Sequence, residues 1–211
     1  MLSLTTIGLF AVASVVLALT PGPDMVYIAT RSAAQGRIAG VVSTLGIHAG
    51  VLVHTFAAAL GLSALIAASA VAFSVVKYAG AAYLIYLGIQ TLLSSTETVE
   101  VKTTEPAKLK SIFYQGLVTN VLNPKVILFF LAFLPQFIDP ARGNVTLQLF
   151  LLGVLLVVVT LPVDIGVALV SGVLGEWFRR RKGVRKAGKW VTGSVFITLG
   201  VGTALFGGKK T

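Results

Sequence analysis

Along this chain polar positions do not recur with a period; they interrupt. Apolar runs cover residues 2–19, 38–69, 71–93, 112–138, 145–174 and 190–207, and each reaches or exceeds the roughly 18–20 residues with which a helix spans a hydrocarbon core of about 30 Å. Six helical spans are predicted. A membrane β-barrel would instead show segments of about ten residues with alternating polarity, and no stretch reads that way. The longest polar stretch, "SSTETVEVKTTEPAKLKS" at 94–111, is too short for a core of its own. It divides the chain into a first half, 1–93, and a second half, 112–211, with three spans each. Three is odd, so the halves, if they are repeats, are inverted relative to one another.

Composition agrees with that solvent. Of 211 residues 56% are hydrophobic and 11% charged, with a mean hydropathy of +0.93, whereas a soluble domain carries about 25% charged residues. The first run is not read as a secretory signal: no basic residue precedes Arg31, and it ends in "LALTPGPD", with proline where a cleavage site wants small residues. There is no cysteine, which excludes disulfides, thiolate metal sites and cysteine nucleophiles. The net charge of +10 is explained by its placement. Arg31 and Arg37, then Lys102, Lys108 and Lys110, then the group from Arg179 to Lys189 make up twelve of the seventeen basic residues, and six spans put all three groups on one side. The positive-inside bias marks that side as cytoplasmic, with both termini outside. A basic cluster beside a span faces anionic lipid, so no nucleic-acid partner is expected.

Two runs are broken. "LTPGPDMVYI" (19–28) and "VLNPKVILFF" (121–130) insert prolines and charges into apolar sequence. Pro21 and Pro23 lack a backbone N–H, and each disfavours helix in the residue before it. The helix is therefore expected to unwind between Thr20 and Asp24, and Thr20-Pro21 falls opposite Asn123-Pro124 when the halves are laid together. Unwound backbone is tolerated at membrane depth only where protein or a watery cavity surrounds it. Matched interruptions in two halves point to a transporter binding site near the bilayer midplane. A helix restarting near Asp24 offers its positive end to a carboxylate, such as that of an amino acid. A second correspondence supports repetition: "KYAGAAYLIYLGIQTLL" (77–93) over "KWVTGSVFITLGVGTAL" (189–205) matches Lys77 with Lys189, Ile85 with Ile197 and Gly88 with Gly200, among others.

The charges and histidines inside the runs carry the candidate chemistry. Asp24 either caps the helix that begins at Met25 or lies deep in the bilayer. A carboxylate there costs about 2.5–3.5 kcal/mol and so pairs, binds substrate or carries protons. Asp164, in "VTLPVDIGVAL", shares a helix face with Thr160 and is read either as functional or as half of an internal pair with Lys125 or a histidine. Lys125 either snorkels to an interface or neutralises a buried aspartate. His48 and His54, six residues apart, sit about 240° apart around a helix and cannot share a metal. His48 lies between Gly46 and Gly50, which suits helix packing, with a proton relay as the alternative. No metal or cofactor is expected. With no Ser/His/Asp arrangement or HExxH motif beside the carboxylates, neither is an enzyme.

"LTPGPDMVYI" with "GRIAGVVSTLGIHAG", then "YAGAAYLIYLGIQTL", and "GLVTNVLNPKVILFFLAFLPQFI" resemble, in order and spacing, the recurring blocks of the LysE/RhtB amino-acid exporters of bacterial inner membranes, including the homoserine, threonine and leucine efflux type. The resemblance covers nearly the whole chain. It implies export of amino acids or close derivatives driven by the proton motive force. Residue by residue it implicates Thr20, Pro21, Gly22, Pro23 and Asp24 in the first block and Asn123, Pro124 and Lys125 in the other as substrate site, while Asp24, Asp164 and His48 are the candidates for proton coupling. The expected architecture is an all-α polytopic membrane protein of two inverted three-helix repeats, 1–93 and 112–211, with broken first and fourth helices. Its expected partners are the amino acid, protons and the bilayer, and its glycine-rich faces permit a homodimer. The competing expectations are an uncoupled, channel-like facilitator or export of another small solute such as a metal ion.

Overall fold

A computed structural model describes residues 2–93 and 106–180, with 190, 193–194, 197–198 and 200–202 of the last stretch. All regular elements among these residues are helical, and the chain is an all-α polytopic membrane protein. Helix α1 (Leu4–Leu19) stops at Thr20 and α2 (Pro23–Gln35) restarts at 54° to it. Helix α3 (Arg37–Ala57) continues through a π-helical turn, Ala58–Leu62, into α4 (Ser63–Ala68), and α5 (Ala70–Leu93) follows. In the second half α6 (Leu109–Val121) is followed at 47° by a helical stretch, Pro124–Phe137, made of α7 (Pro124–Leu128), a π turn and a 3-10 turn. Helix α8 (Val145–Arg180) completes the set. The stretches Arg37–Leu65 and Val145–Ser171 are long and apolar enough to cross a membrane alone, and each bent pair qualifies as one span.

Beyond the break at Thr20, α1 and α2 form a bent pair that runs to Gln35, with an apolar, buried side of α2 around Ile28. Helix α6 begins at Leu109, within the polar stretch. One expectation is corrected. Arg31 is not a loop charge: it lies on α2, buried, with Nη1 donating to Gln35 at 2.9 Å, Nη2 to Gln115 at 2.6 Å, and its guanidinium 5.7 Å from the Tyr27 ring centroid. The same corner joins two of the basic loops, as Gln35 Nε2 donates to the Ala107 carbonyl at 3.0 Å. The sixth apolar run and the basic group 181–189 lie largely or wholly outside the described residues.

Small residues decide which helices touch. Helices α3 and α6 approach so closely that a methyl group at Gly46 would lie 2.1 Å from the Phe113 carbonyl oxygen, and one at Gly116 would lie 2.8 Å from that of Ser43. Gly88 of α5 and Gly200 meet in a reciprocal way. A methyl at Gly88 would lie 2.7 Å from Ile197 and 2.8 Å from the Gly193 carbonyl; one at Gly200 would lie 2.6 Å from Ile85 and 2.7 Å from the Ala81 carbonyl. The residues matched by sequence, Ile85 with Ile197 and Gly88 with Gly200, thus trade places across the contact.

The distribution of polarity is that of a protein in lipid. Leu9, Phe56, Leu60 and Val158 are exposed on the outside, while Asp24, Arg31, His48, Asn120, Lys125 and Asp164 are buried. An aromatic cluster fills the interior beyond the breaks: Phe10 meets Phe129 at a tilt, with centroids 5.8 Å apart, and Phe137 edge-on at 5.1 Å, with Phe130 and Phe133 around them.

Candidate functional site

The breaks of both bent spans fall near their midpoints, and the charged residues next to them turn inward. At the first, Gly22 is the N-cap, Pro23 takes the first helical position, where its missing N–H costs nothing, and Asp24 follows. At the second, Asn123 caps α7, its Oδ1 accepting from Lys125 N at 3.0 Å, and Pro124 and Lys125 follow. Pro23 and Pro124 thus hold the same position in their helices, whereas Pro21 follows the end of one.

Asp24 exposes only 8% of its surface, which excludes a capping role at the water boundary, although it still occupies the first turn of α2. Its Oδ2 accepts from Asn120 Nδ2 at 2.9 Å. Its Oδ1 meets no donor at full hydrogen-bond geometry among the described residues, although the Asn123 side chain also acts on the carboxylate. Lys125, also buried, sends Nζ to the end of α1, donating to the carbonyls of Thr20 at 3.0 Å and Leu17 at 3.3 Å. From there it acts electrostatically on both Asp24 and Asp164.

On the facing helices, His48 of α3 meets Thr160 and Asp164 of α8. Nδ1 lies 2.9 Å from the Thr44 carbonyl, which only accepts, so Nδ1 carries a hydrogen. Nε2 lies 3.1 Å from Thr160 Oγ1 and 3.7 Å from Asp164 Oδ2. Thr160 Oγ1 is also 2.8 Å from the Leu156 carbonyl, and a hydroxyl has one proton to give. With that proton on Leu156, Nε2 must donate and His48 is an imidazolium beside a carboxylate. With His48 neutral, the hydroxyl turns and donates to Nε2. The arrangement accommodates either protonation state without moving a heavy atom.

One cavity connects these groups. Asp24, His48, Asn120, Lys125, Thr160 and Asp164 line it on the polar side, and Leu17, Ile47, Val51 and Leu156 on the apolar side. It offers about 40 Å³ to the centres of water molecules, against the roughly 10–15 Å³ that one water needs. Of the residues singled out by sequence, Asp24, His48, Lys125 and Asp164 come together here. Thr20, Pro21, Gly22, Pro23, Asn123 and Pro124 do not line the cavity; they shape the breaks that hold its charged groups. Asn120 was missed. Its signal was available: it is one of two amides in the otherwise largely apolar stretch "GLVTNVLNP", one turn before the break. His54 stays outside, stacked on Phe130 at 5.5 Å with Nε2 3.3 Å from the Asn120 carbonyl.

A family model described as LysE type translocator matches residues 15–206. Over 206 residues the chain is 31% identical to the uncharacterized membrane protein PA4757 of Pseudomonas aeruginosa, covering 95% of each. It is 29% identical over 198 residues to the uncharacterized membrane protein YrhP of Bacillus subtilis, covering 90% of this chain and 93% of that one. An uncharacterized membrane protein of Vibrio cholerae is 30% identical over 192 residues, 91% of this chain and 93% of its own. No solved structure matches.

Proposed function

We propose, from the premise that the chain belongs to the family of LysE type translocators, that this membrane transporter exports amino acids or close derivatives from the cytoplasm by proton antiport. The observation that carries the reading is the charge inventory of the cavity beside the breaks, where two carboxylates face an ammonium and an imidazole. A zwitterionic α-amino acid has the complementary pair. Lys125 uses two of its three donors on carbonyls, leaving the third for a substrate carboxylate. Asp24 Oδ1, which meets no donor at full hydrogen-bond geometry among the described residues, accepts the substrate ammonium. The apolar wall of Leu17, Val51 and Leu156 receives the side chain. A metal cation fits less well, because Lys125 repels it.

The proton side of the cycle runs through His48, Thr160 and Asp164. A proton entering from outside neutralises an aspartate, weakens its hold on the substrate ammonium and releases the amino acid outward; the proton then leaves to the cytoplasm. In this reading the side bearing the basic clusters is cytoplasmic, both termini lie outside the bacterial inner membrane, and the halves are inverted repeats. The test is efflux of an amino-acid panel from dipeptide-fed cells, with and without an uncoupler, beside Asp24→Asn. Export of one or two amino acids that the uncoupler and the substitution both abolish is the expected result. Export that persists with an uncoupler indicates a facilitator, and Asp24→Asn export at the wild-type rate against a gradient removes the coupling step assigned to it.

A further inference from the structure

In an unbroken helix the Leu17 carbonyl would accept the backbone N–H of residue 21, but residue 21 is proline and has none. The Thr20 N–H, shared with the Val16 carbonyl, reaches Leu17 O at 3.2 Å, and a further donor comes from 108 residues away, as Lys125 Nζ donates to Leu17 O at 3.3 Å and to Thr20 O at 3.0 Å. Helix α1 has no basic residue in its own last turn, and the free carbonyls at a helix end carry its partial negative charge. Gly22 stands beside the ammonium: a methyl group there would come 3.2 Å from Nζ and 3.4 Å from Cε. The Gly22 backbone is extended, with φ −168° and ψ −178°, a conformation any residue adopts. Space for the ammonium, not backbone freedom, is what favours glycine. Asp24 and Asp164 act on Lys125 electrostatically, yet its hydrogen bonds go to the carbonyls.

We propose that the end of α1 is a cation site for a primary ammonium, created by Pro21, kept open by Gly22 and occupied by the chain's own Lys125. The Thr20 carbonyl lies at an ordinary N–H···O distance and the Leu17 carbonyl just beyond it, spacings that suit an ammonium better than a bare sodium ion. The lysine is thus a tethered ligand, and cutting it back leaves a vacant site of the same chemistry in a cavity-lining position. The inference is independent of which solute the translocator carries.

The test is rescue of Lys125→Ala by ethylammonium, read as thermal unfolding of the purified, detergent-solubilised protein with choline chloride of equal ionic strength as control. At about 50 mM ethylammonium the alanine protein is expected to melt about 3 °C higher than in choline, and the wild type within about 1 °C of its choline value. Lys125→Met, which fills the space with an apolar chain, is expected to show no shift. An alanine protein that is monodisperse only in ethylammonium supports the proposal equally. A shift no larger than that of the wild type, or an equal one in Lys125→Met, overturns it. Where Lys125→Ala is recovered in neither salt, Lys125→Ser, which opens the same space while keeping a hydroxyl for the Thr20 carbonyl, decides by the same criterion.

Discussion

Gly22-Pro23-Asp24 and Asn123-Pro124-Lys125 occupy the same three positions of a restarting helix: cap, first residue and second residue. The backbone device is shared, and the charge on it is reversed. Asp24 sits where a helix start stabilises an anion, by about 0.3–1 kcal/mol at exposed sites. Lys125 sits where a cation is disfavoured, and it reaches away to the negative end of α1. The caps differ to match: Asn123 closes its helix with a side-chain acceptor, whereas Gly22 makes no side-chain cap and leaves room for the lysine. Two breaks of the same backbone form with opposite charges produce a site that presents both signs to one cavity, which a pair of like charge could not do.

Substitutions at each break test this complementarity. The largest effect is expected from Lys125→Asp, which makes both breaks anionic and strips α1 of its cation. Breaking a buried charge set of this kind costs about 3–5 kcal/mol, so the protein should lose most of its thermal stability in micelles and all export. Asn120→Ala should come next. It removes the donor to Asp24 Oδ2, a bond to a charged group typically contributing about 1.5–3 kcal/mol. An increase of about tenfold or more in the apparent KM for export, with the protein still folded, is the expected kinetic signature.

Asn123→Ala should cost about 1 kcal/mol through the lost cap, and Asn123→Gly only a few tenths. The second therefore converts the cap of one break to that of the other almost silently, and a large loss in Asn123→Gly would show that the asparagine does more than cap. Gly22→Ala should have the smallest effect, below about 1 kcal/mol, since the atom it crowds is the end of a flexible side chain. Paired melting curves of the two glycine-site variants measure the difference directly.

Much of the fold was legible because its signals are local and strong. Proline lacks a hydrogen-bond donor whatever surrounds it, so Pro21, Pro23 and Pro124 announced two breaks. Charges are expensive in hydrocarbon, so Asp24, Lys125 and Asp164 stood out against apolar neighbours. The register between the halves was less legible: a proline can end a helix or begin one, and only the observed restart separates Pro21 from Pro23. Arg31 was read as a loop charge because nothing nearby in sequence announces Gln115, whose carbonyl oxygen accepts from it 84 positions further on.

The sequence by itself determined the solvent, the helical class, the broken spans and the identity of most charged groups in the cavity, since each follows from composition or from one residue's covalent chemistry. Only the tertiary structure decided which of those groups meet. Asp24 finds Asn120, His48 finds Thr160, and Lys125 finds the end of α1 at sequence separations of 96, 112 and 105. Close packing at Gly46 and Gly116 sets the spacing of α3 and α6, and that spacing fixes which polar atoms fall within hydrogen-bond reach. Distances of that kind depend on how whole helices lie against one another, and no local pattern encodes them.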